Sequence, residues 1–399
     1  MPRLEELQTL LHAIATSIAD VQILEILMKS SGSRKKKPHK ATNIYDVARH
    51  ARVSVFTVSA VVNNNGNVSP KLRRRVEAAV QKLNYRPNLL ARGLVMRQTH
   101  TIGIVVRDIV NPFFPLLVRG AEDAAQKAGY SVLLCNSDDQ REKEEQYLEL
   151  LLSKRVDGIL LNKAPGNLSS SLRQLLAESR VPVVSLMRTS PDLKGDAVIT
   201  EDEKGAFEAV SHLARVGHRR IALVSGPLSV SNGKARWRGF RKALEAGGLQ
   251  YERNLVIQGD YHIDSGYHAG LSLLPRRPDA VFVANYLMTV GLMKAADEMG
   301  LRCPEDFGLA SFDDYPWLSC FRPRLTTVEL PKYEIGATAV RLLLERISGK
   351  RSRRTLVKLM PELHVRESCG FMLRKRDCKQ DSLAPQEEAH ALSVAPEFQ

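Results

Sequence analysis

Residues 43–63 fit two helical patterns and the turn between them into one short run, Asn-Ile-Tyr-Asp-Val-Ala-Arg-His-Ala-Arg-Val-Ser-Val-Phe-Thr-Val-Ser-Ala-Val-Val-Asn. Ile44, Val47, Ala48 and Ala51 recur at helical spacing and form one apolar face. Ser54 is placed to cap a second helix whose inward face is Val58, Val61 and Val62. That helix opens with Val55, Phe56, Thr57 and Ser59, the small or outward residues that a helix-turn-helix sets against base edges and phosphates in the major groove. Two unrelated amphipathic helices would leave a similar trace, so the stretch alone leaves both readings open.

Charge separates them. Residues 34–98 hold fifteen Lys and Arg against only Asp46 and Glu77, so thirteen of the chain's net +14 charges lie there. An excess confined to one segment is the footprint of a polyanion site, because neutralising phosphates supplies the sequence-independent part of nucleic-acid affinity. Ser69-Pro70 then opens a third helix reaching to about Asn84, with Val76, Ala79, Val80 and Leu83 inward.

Beyond residue 99 short apolar runs at 102–106, 131–135, 158–161, 182–186, 221–224, 255–258, 280–283 and 308–311 alternate with amphipathic helices, for example at 115–128 and 143–152. Continuous apolar strands interleaved with helices imply parallel sheets covered on both faces, in one large sheet or two lobes. At 399 residues the chain has room for two or three domains. Cys135, Cys303, Cys320, Cys369 and Cys378 show no metal-ligand spacing and read as reduced thiols of a cytoplasmic protein. No apolar run approaches the roughly 18 residues of a membrane span. The phosphate-loop and nucleophile-elbow patterns of α/β enzymes are absent, so an enzyme is not expected and neither metal nor cofactor is implied.

The run from Ile44 through "NYRPNLLARGL", with "TIGIVVRDIVNPFF", "ALVSGPLS", "RWRGFRKAL", "FVANYLM", "SFDDYPWLS", "LTTVELP" and "ELHVRES", resembles the lactose-repressor and galactose-repressor (LacI/GalR) family of bacterial transcription regulators over residues 43–368. The resemblance implies an all-α helix-turn-helix domain at 41–87, a hinge helix at 88–98 and a two-lobed α/β core of the periplasmic-binding-protein type at 99–368. It implies a homodimeric repressor of a palindromic double-stranded DNA operator, controlled by a sugar or related metabolite in the interlobe cleft. Tyr45, Ser54, Val55, Phe56, Thr57, Ser59, Ala60, Asn63 and Arg86 are the implied DNA contacts, joined in the hinge by Asn88, Ala91 and Leu94. Leu94 would wedge open a central base step. Phe113, Asn162, Arg236, Tyr261, Asn285 and Asp313 are the implied effector contacts. Arg236 has the planar fork that binds two ligand oxygens, and Tyr261 offers a ring for stacking.

Several positions depart from the family. Met187 stands where an aspartate is common, Tyr286 where an acid is usual, and Glu201-Asp202 replace an Asp-Asn pair. The effector is therefore not expected to be a standard hexose bound in the standard way; a modified sugar, an acid, a nucleoside and a vestigial site remain open. Ala60 replaces an arginine able to read guanine, which predicts thymine methyls in the half-site. Arg52 replaces a turn glycine. The first forty residues fall outside the pattern. Leu4, Leu7, Leu11, Ile14, Ile18, Val21 and Leu24 are helically spaced, and an interaction helix, a disordered tail and an untranslated stretch before a start at Met28 are all open. Acidic residues interrupt this stretch, which argues against a secretion signal and with it a periplasmic binding protein. The tail at 369–399 is polar, lacks leucine heptads and is expected to be disordered.

Overall fold

The computed structural model describes residues 42–62, 68–85 and 98–371. They fall in two compact units that divide between Arg92 and Gly93. Asn63, Arg86, Asn88, Ala91 and Leu94, with the 1–40 extension and the tail past 371, lie outside the described residues.

The first unit is three helices, α1 Ile44–Ala51, α2 Val55–Val62 and α3 Pro70–Lys82. A capping box starts α1: Asp46 N donates to Asn43 Oδ1 and Asn43 N donates to Asp46 Oδ2, both at 3.1 Å. The two reciprocal bonds satisfy amides that a helix start would otherwise leave open. Ser54 caps α2 as expected, its Oγ accepting from Thr57 N at 3.1 Å. Ser69 precedes Pro70 but makes no side-chain cap bond. Val47, Val58, Val61, Val76 and Ala79 form the buried centre, while Val62, Val80 and Leu83 sit half-buried around it.

The tight turn between α1 and α2 rests on Arg52, whose φ of 48° is left-handed. Arg75 of α3 braces that turn, its Nη2 donating to Ala51 O at 2.6 Å and Arg52 O at 3.2 Å. Holding a side chain at positive φ costs about 1–3 kcal/mol. Arg52→Gly relieves that strain and gives back part of the gain as unfolded-chain entropy. The expected outcome is a helical unit more stable by about 1 kcal/mol. Slower hydrogen exchange of α1 and α2 amides in the intact chain would show it.

The second unit holds two sheets. The first consists of β1 Thr101–Val106, β2 Ser131–Asn136, β3 Gly158–Leu161, β4 Val183–Leu186, β5 Asp196–Thr200 and β11 Leu356–Leu359, in the order β11-β5-β4-β3-β1-β2 and parallel throughout. The second consists of β6 Ile221–Ser225, β7 Val256–Gln258, β8 Ala280–Val283, β9 Gly308–Phe312, β10 Thr326–Glu329 and β12 Glu362–His364, in the order β12-β10-β9-β8-β6-β7. Only the β10–β12 pair is antiparallel among the described residues. Helices α4 Phe113–Lys127, α5 Arg141–Ser153, α6 Ser170–Ser179, α7 Asp202–Val216, α8 Ser231–Ala246, α9 Ile263–Leu273, α10 Tyr286–Glu298 and α11 Lys332–Ile347 flank them. β5, β10, β11 and β12 were not among the expected apolar runs.

The chain passes between the sheets three times: from β5 into α7, from β10 into α11, and from β11 to β12 through Met360 and Pro361 alone. The core also runs past 368. Cys369 is fully buried, its carbonyl 2.8 Å from His218 Nε2, and Phe371 packs against the same cluster, so these residues are core where a disordered tail was expected to begin.

Helices α4 and α11 approach so closely that Gly336 has no room for a side chain. A Cβ there would stand 2.0 Å from Leu117 O and 2.7 Å from Ala121 N. Backbone cannot yield as a side-chain tip does. Gly336→Ala should therefore destabilise the protein by about 1–3 kcal/mol, read as a lower denaturant midpoint at unchanged slope.

Candidate functional site

On the helical unit the outward face of α2 meets solvent with an apolar residue at its head. Phe56 is 83% exposed and Tyr45 of α1 is 65% exposed. Ser54 is exposed too, and Val55, Thr57, Ser59 and Ala60 are half-buried along the same helix. Arg49, Arg52, Lys71 and Arg74 are exposed on this unit, and Asp46 is taken up in the capping box. Phe56 and Tyr45 stand outside the unit's own hydrophobic core.

In the second unit, strand ends from both sheets converge on a cleft, as open parallel sheets do at their carboxyl ends. The structure brings Phe113, Asn162, Arg236, Tyr261, Asn285 and Asp313 to one cavity of about 40 Å³. That volume holds a few water molecules at most. Met187, Tyr261 and Asp313 carry φ values of 60°, 74° and 72°. Three side chains at left-handed backbone positions around one cavity is the kind of strain that collects at ligand sites.

Arg236, on α8, is almost fully buried. Its Nε donates to Asp202 Oδ1 at 2.7 Å, Nη2 lies 2.6 Å from the same oxygen, and Nη1 donates to Ala284 O. The guanidinium also stands 3.8 Å from the centroid of the Phe312 ring. Asp202 Oδ2 accepts from Thr200 Oγ1 at 2.8 Å. Burial raises the Asp202 carboxyl above its ordinary value, and Arg236 offsets part of that rise. Asp202 of the Glu201-Asp202 departure thus supplies the counter-ion of Arg236.

Two further arginines were not foreseen. Arg188, just past β4, binds Asp139 with both terminal nitrogens, Nη1 to Oδ1 at 2.6 Å and Nη2 to Oδ2 at 3.0 Å, and Nη1 reaches Lys163 O at 2.8 Å. Arg107, first after β1, donates from Nη1 to Asp139 Oδ2 at 3.0 Å and lies 5.0 Å from the Tyr261 ring centroid. The signal for both is a charged residue one or two places beyond a buried strand. Burial pushes the Asp139 carboxyl up, but Arg188 and Arg107 outweigh it and hold it below the ordinary value.

The remaining polar groups divide into engaged and open. The Asn285 amide caps α10, accepting from Met288 N at 3.0 Å, while its Nδ2 donates to Tyr261 O at 3.0 Å. It borders the cavity but works chiefly as a cap. Asn162 Nδ2 donates to Leu186 O at 2.9 Å, whereas its Oδ1 is buried with no partner. The Tyr261 hydroxyl is likewise buried and unpartnered, and burial raises its pKa. Asp313 receives only Tyr286 N at 3.4 Å. Phe113 and Phe114 meet edge to face at 5.2 Å along one wall.

A basic three-helix unit with a reading helix, joined to a two-lobed core with a polar cleft, defines a ligand-responsive DNA-binding transcription regulator. Residues 43–88 match the model for bacterial regulatory proteins of the lacI family, and residues 210–369 match the periplasmic binding protein-like domain. Catabolite control protein A of Priestia megaterium is 38% identical over 328 residues, 82% of this chain and 98% of that protein. The ribose operon repressor of Escherichia coli K12 is 37% identical over 328 residues, 81% of this chain and 98% of its own length. The lac repressor dimer bound to operator and the anti-inducer ONPF superposes with a TM-score of 0.73 at 31% identity, covering 83% of this chain and 99% of that one. The chain belongs to the LacI family of bacterial regulatory proteins. Among the described residues no helix is long and apolar enough to cross a membrane.

Asp139 fixes a pH response. Its folded pKa lies below its unfolded value of about 3.9, so its contribution is present above that value and lost as pH falls through the folded one. Urea unfolding of Asp139→Asn between pH 7 and pH 2 should show a lower stability at neutral pH and a shallower acid decline than the parent. Parallel declines would remove Asp139 from the account.

Proposed function

We propose that the chain is a repressor that binds a two-fold-symmetric operator as a homodimer in the cytoplasm, and that a small molecule in the interlobe cleft sets its affinity for DNA. It has no enzymatic role in this reading. Residues 41–87 form the reading domain, 88–98 the connection and 99–371 the effector and dimerisation core. The observation that carries the reading is the exposed head of α2, with Phe56 83% in solvent, on the unit that holds most of the chain's excess charge. The lac repressor dimer that this chain resembles is described as bound to operator and an anti-inducer, and four of the similar proteins are ribose operon repressors.

The mechanism follows from a cavity lined by both lobes. Its free space is about 40 Å³ in this conformation, so a metabolite is favoured by a reoriented arrangement of the lobes. A ligand that binds the reoriented state better shifts the population towards it, and the core carries that shift to the reading heads. Tyr45, Ser54, Thr57 and Ser59 are assigned to phosphates or polar base edges, and Val55, Phe56 and Ala60 to apolar contact with thymine methyls.

Selection of sites from random duplex DNA with the full chain, near physiological salt, should enrich an inverted repeat. Salt-sensitive binding without an enriched repeat would refute the proposal. On the selected operator, Ala60→Arg should shift preference at the base pair facing residue 60 towards guanine by about 1–3 kcal/mol. No change at that pair would detach Ala60 from base reading.

A further inference from the structure

The two walls of the cleft carry opposite net charge, and that asymmetry, taken with the effector reading above, identifies the chemistry of the ligand. On the first lobe Arg107 and Arg188 share a single carboxylate, Asp139. One positive charge is left over. Arg188 places its terminal nitrogens on Asp139 and the Lys163 carbonyl, but Arg107 spends only one of its five N–H groups, on Asp139, and is 5% exposed.

On the second lobe Arg236 and Asp202 cancel each other. Asp313 forms no direct ion pair among the described residues, and the cation that feels its charge, Arg236, is already bonded to Asp202; Arg366 binds Asp314, and Lys332 Nζ donates to the Asp314 carbonyl. Its one hydrogen bond, from Tyr286 N at 3.4 Å, is longer than a normal N–H···O contact. Asn162 Oδ1 is a second acceptor, buried without a donor, and the Tyr261 hydroxyl stands between the walls without a partner.

We infer that the cleft takes a polyhydroxylated monocarboxylate, a sugar acid. Its carboxylate lies against Arg107 and Arg188, and its hydroxyls donate to Asp313 and Asn162 Oδ1. A neutral sugar leaves the surplus charge of the largely buried Arg107 without a counter-ion on that wall. A phosphate monoester brings nearly two negative charges against one. The monocarboxylate matches the wall in charge, and the planar fork of arginine suits it. Because the carboxylate and the hydroxyl on Asn162 engage the first lobe while the hydroxyl on Asp313 engages the second, the ligand spans the cleft and couples to lobe orientation.

The test is calorimetric titration of the full chain with D-gluconate, D-galactonate, D-glucuronate and D-galacturonate, beside D-glucose, D-galactose, glucose 6-phosphate and L-serine. At least one sugar acid should bind at least tenfold more tightly than its parent hexose, glucose 6-phosphate or serine. Arg107→Gln, which leaves Asp139 bound to Arg188 and so preserves the fold, should weaken the acid at least tenfold and leave thermal unfolding in place. Asp313→Asn should weaken the acid while keeping the preference for acid over hexose. Tighter binding of a hexose, the phosphate ester or serine would overturn the sugar-acid assignment and leave the cleft as the effector site. Silence from every probe, with operator affinity unmoved by any of them, would overturn this assignment and leave the DNA-binding half of the proposed function to its own selection experiment.

Discussion

Three guanidinium groups shut away from water set the terms for the core of this protein. A buried charge left alone costs several kcal/mol, so each arginine needs a carboxylate close by, and each carboxylate has to come from a loop held in one position. Asp202 meets that need at the start of α7, where the chain first passes from one lobe to the other. Asp139 meets it from the loop after β2, itself at a positive φ of 56°. Strand ends, crossovers and strained turns are fixed together because these charges tolerate little displacement.

The sequence reading was strongest where one physical rule acts alone. The helix pair was legible because its apolar spacing, its Ser54 cap and the local charge excess all point the same way. Most of the strands seen as apolar runs are buried on both faces, such as β3 and β8, while the edge strands β2 and β7 were seen by their apolar residues although they are largely exposed or half-buried. β5 begins with Asp196, which is held by Arg346, and β12 reads Glu-Leu-His at the sheet edge, so hydropathy did not reveal either. β5 lies inside its sheet and is largely buried, but its leading Asp196 breaks the apolar run, whereas β12 is an edge strand of three residues.

The cleft was legible by position and less so by partnership. All six expected contacts border one cavity because residues that follow parallel strands must gather there. Composition could not show that the Asn285 amide is spent on capping α10, nor that Arg107 and Arg188 converge on Asp139 from separate strands. Met187 occupies the place of a common family carboxylate, and the arginine beside it brings positive charge to the same wall.

The link between β11 and β12 sets a limit on how the lobes can travel. Met360 and Pro361 alone separate a strand of one sheet from a strand of the other. A residue of extended chain spans at most about 3.3–3.6 Å, and the proline ring removes a further degree of freedom. The lobes cannot drift apart there as two bodies on a slack tether would. Any change in their relative orientation has to leave that corner in place. The other two crossings are equally short, Glu201 alone between β5 and α7 and residues 330 and 331 between β10 and α11, so the lobes are tied at three points.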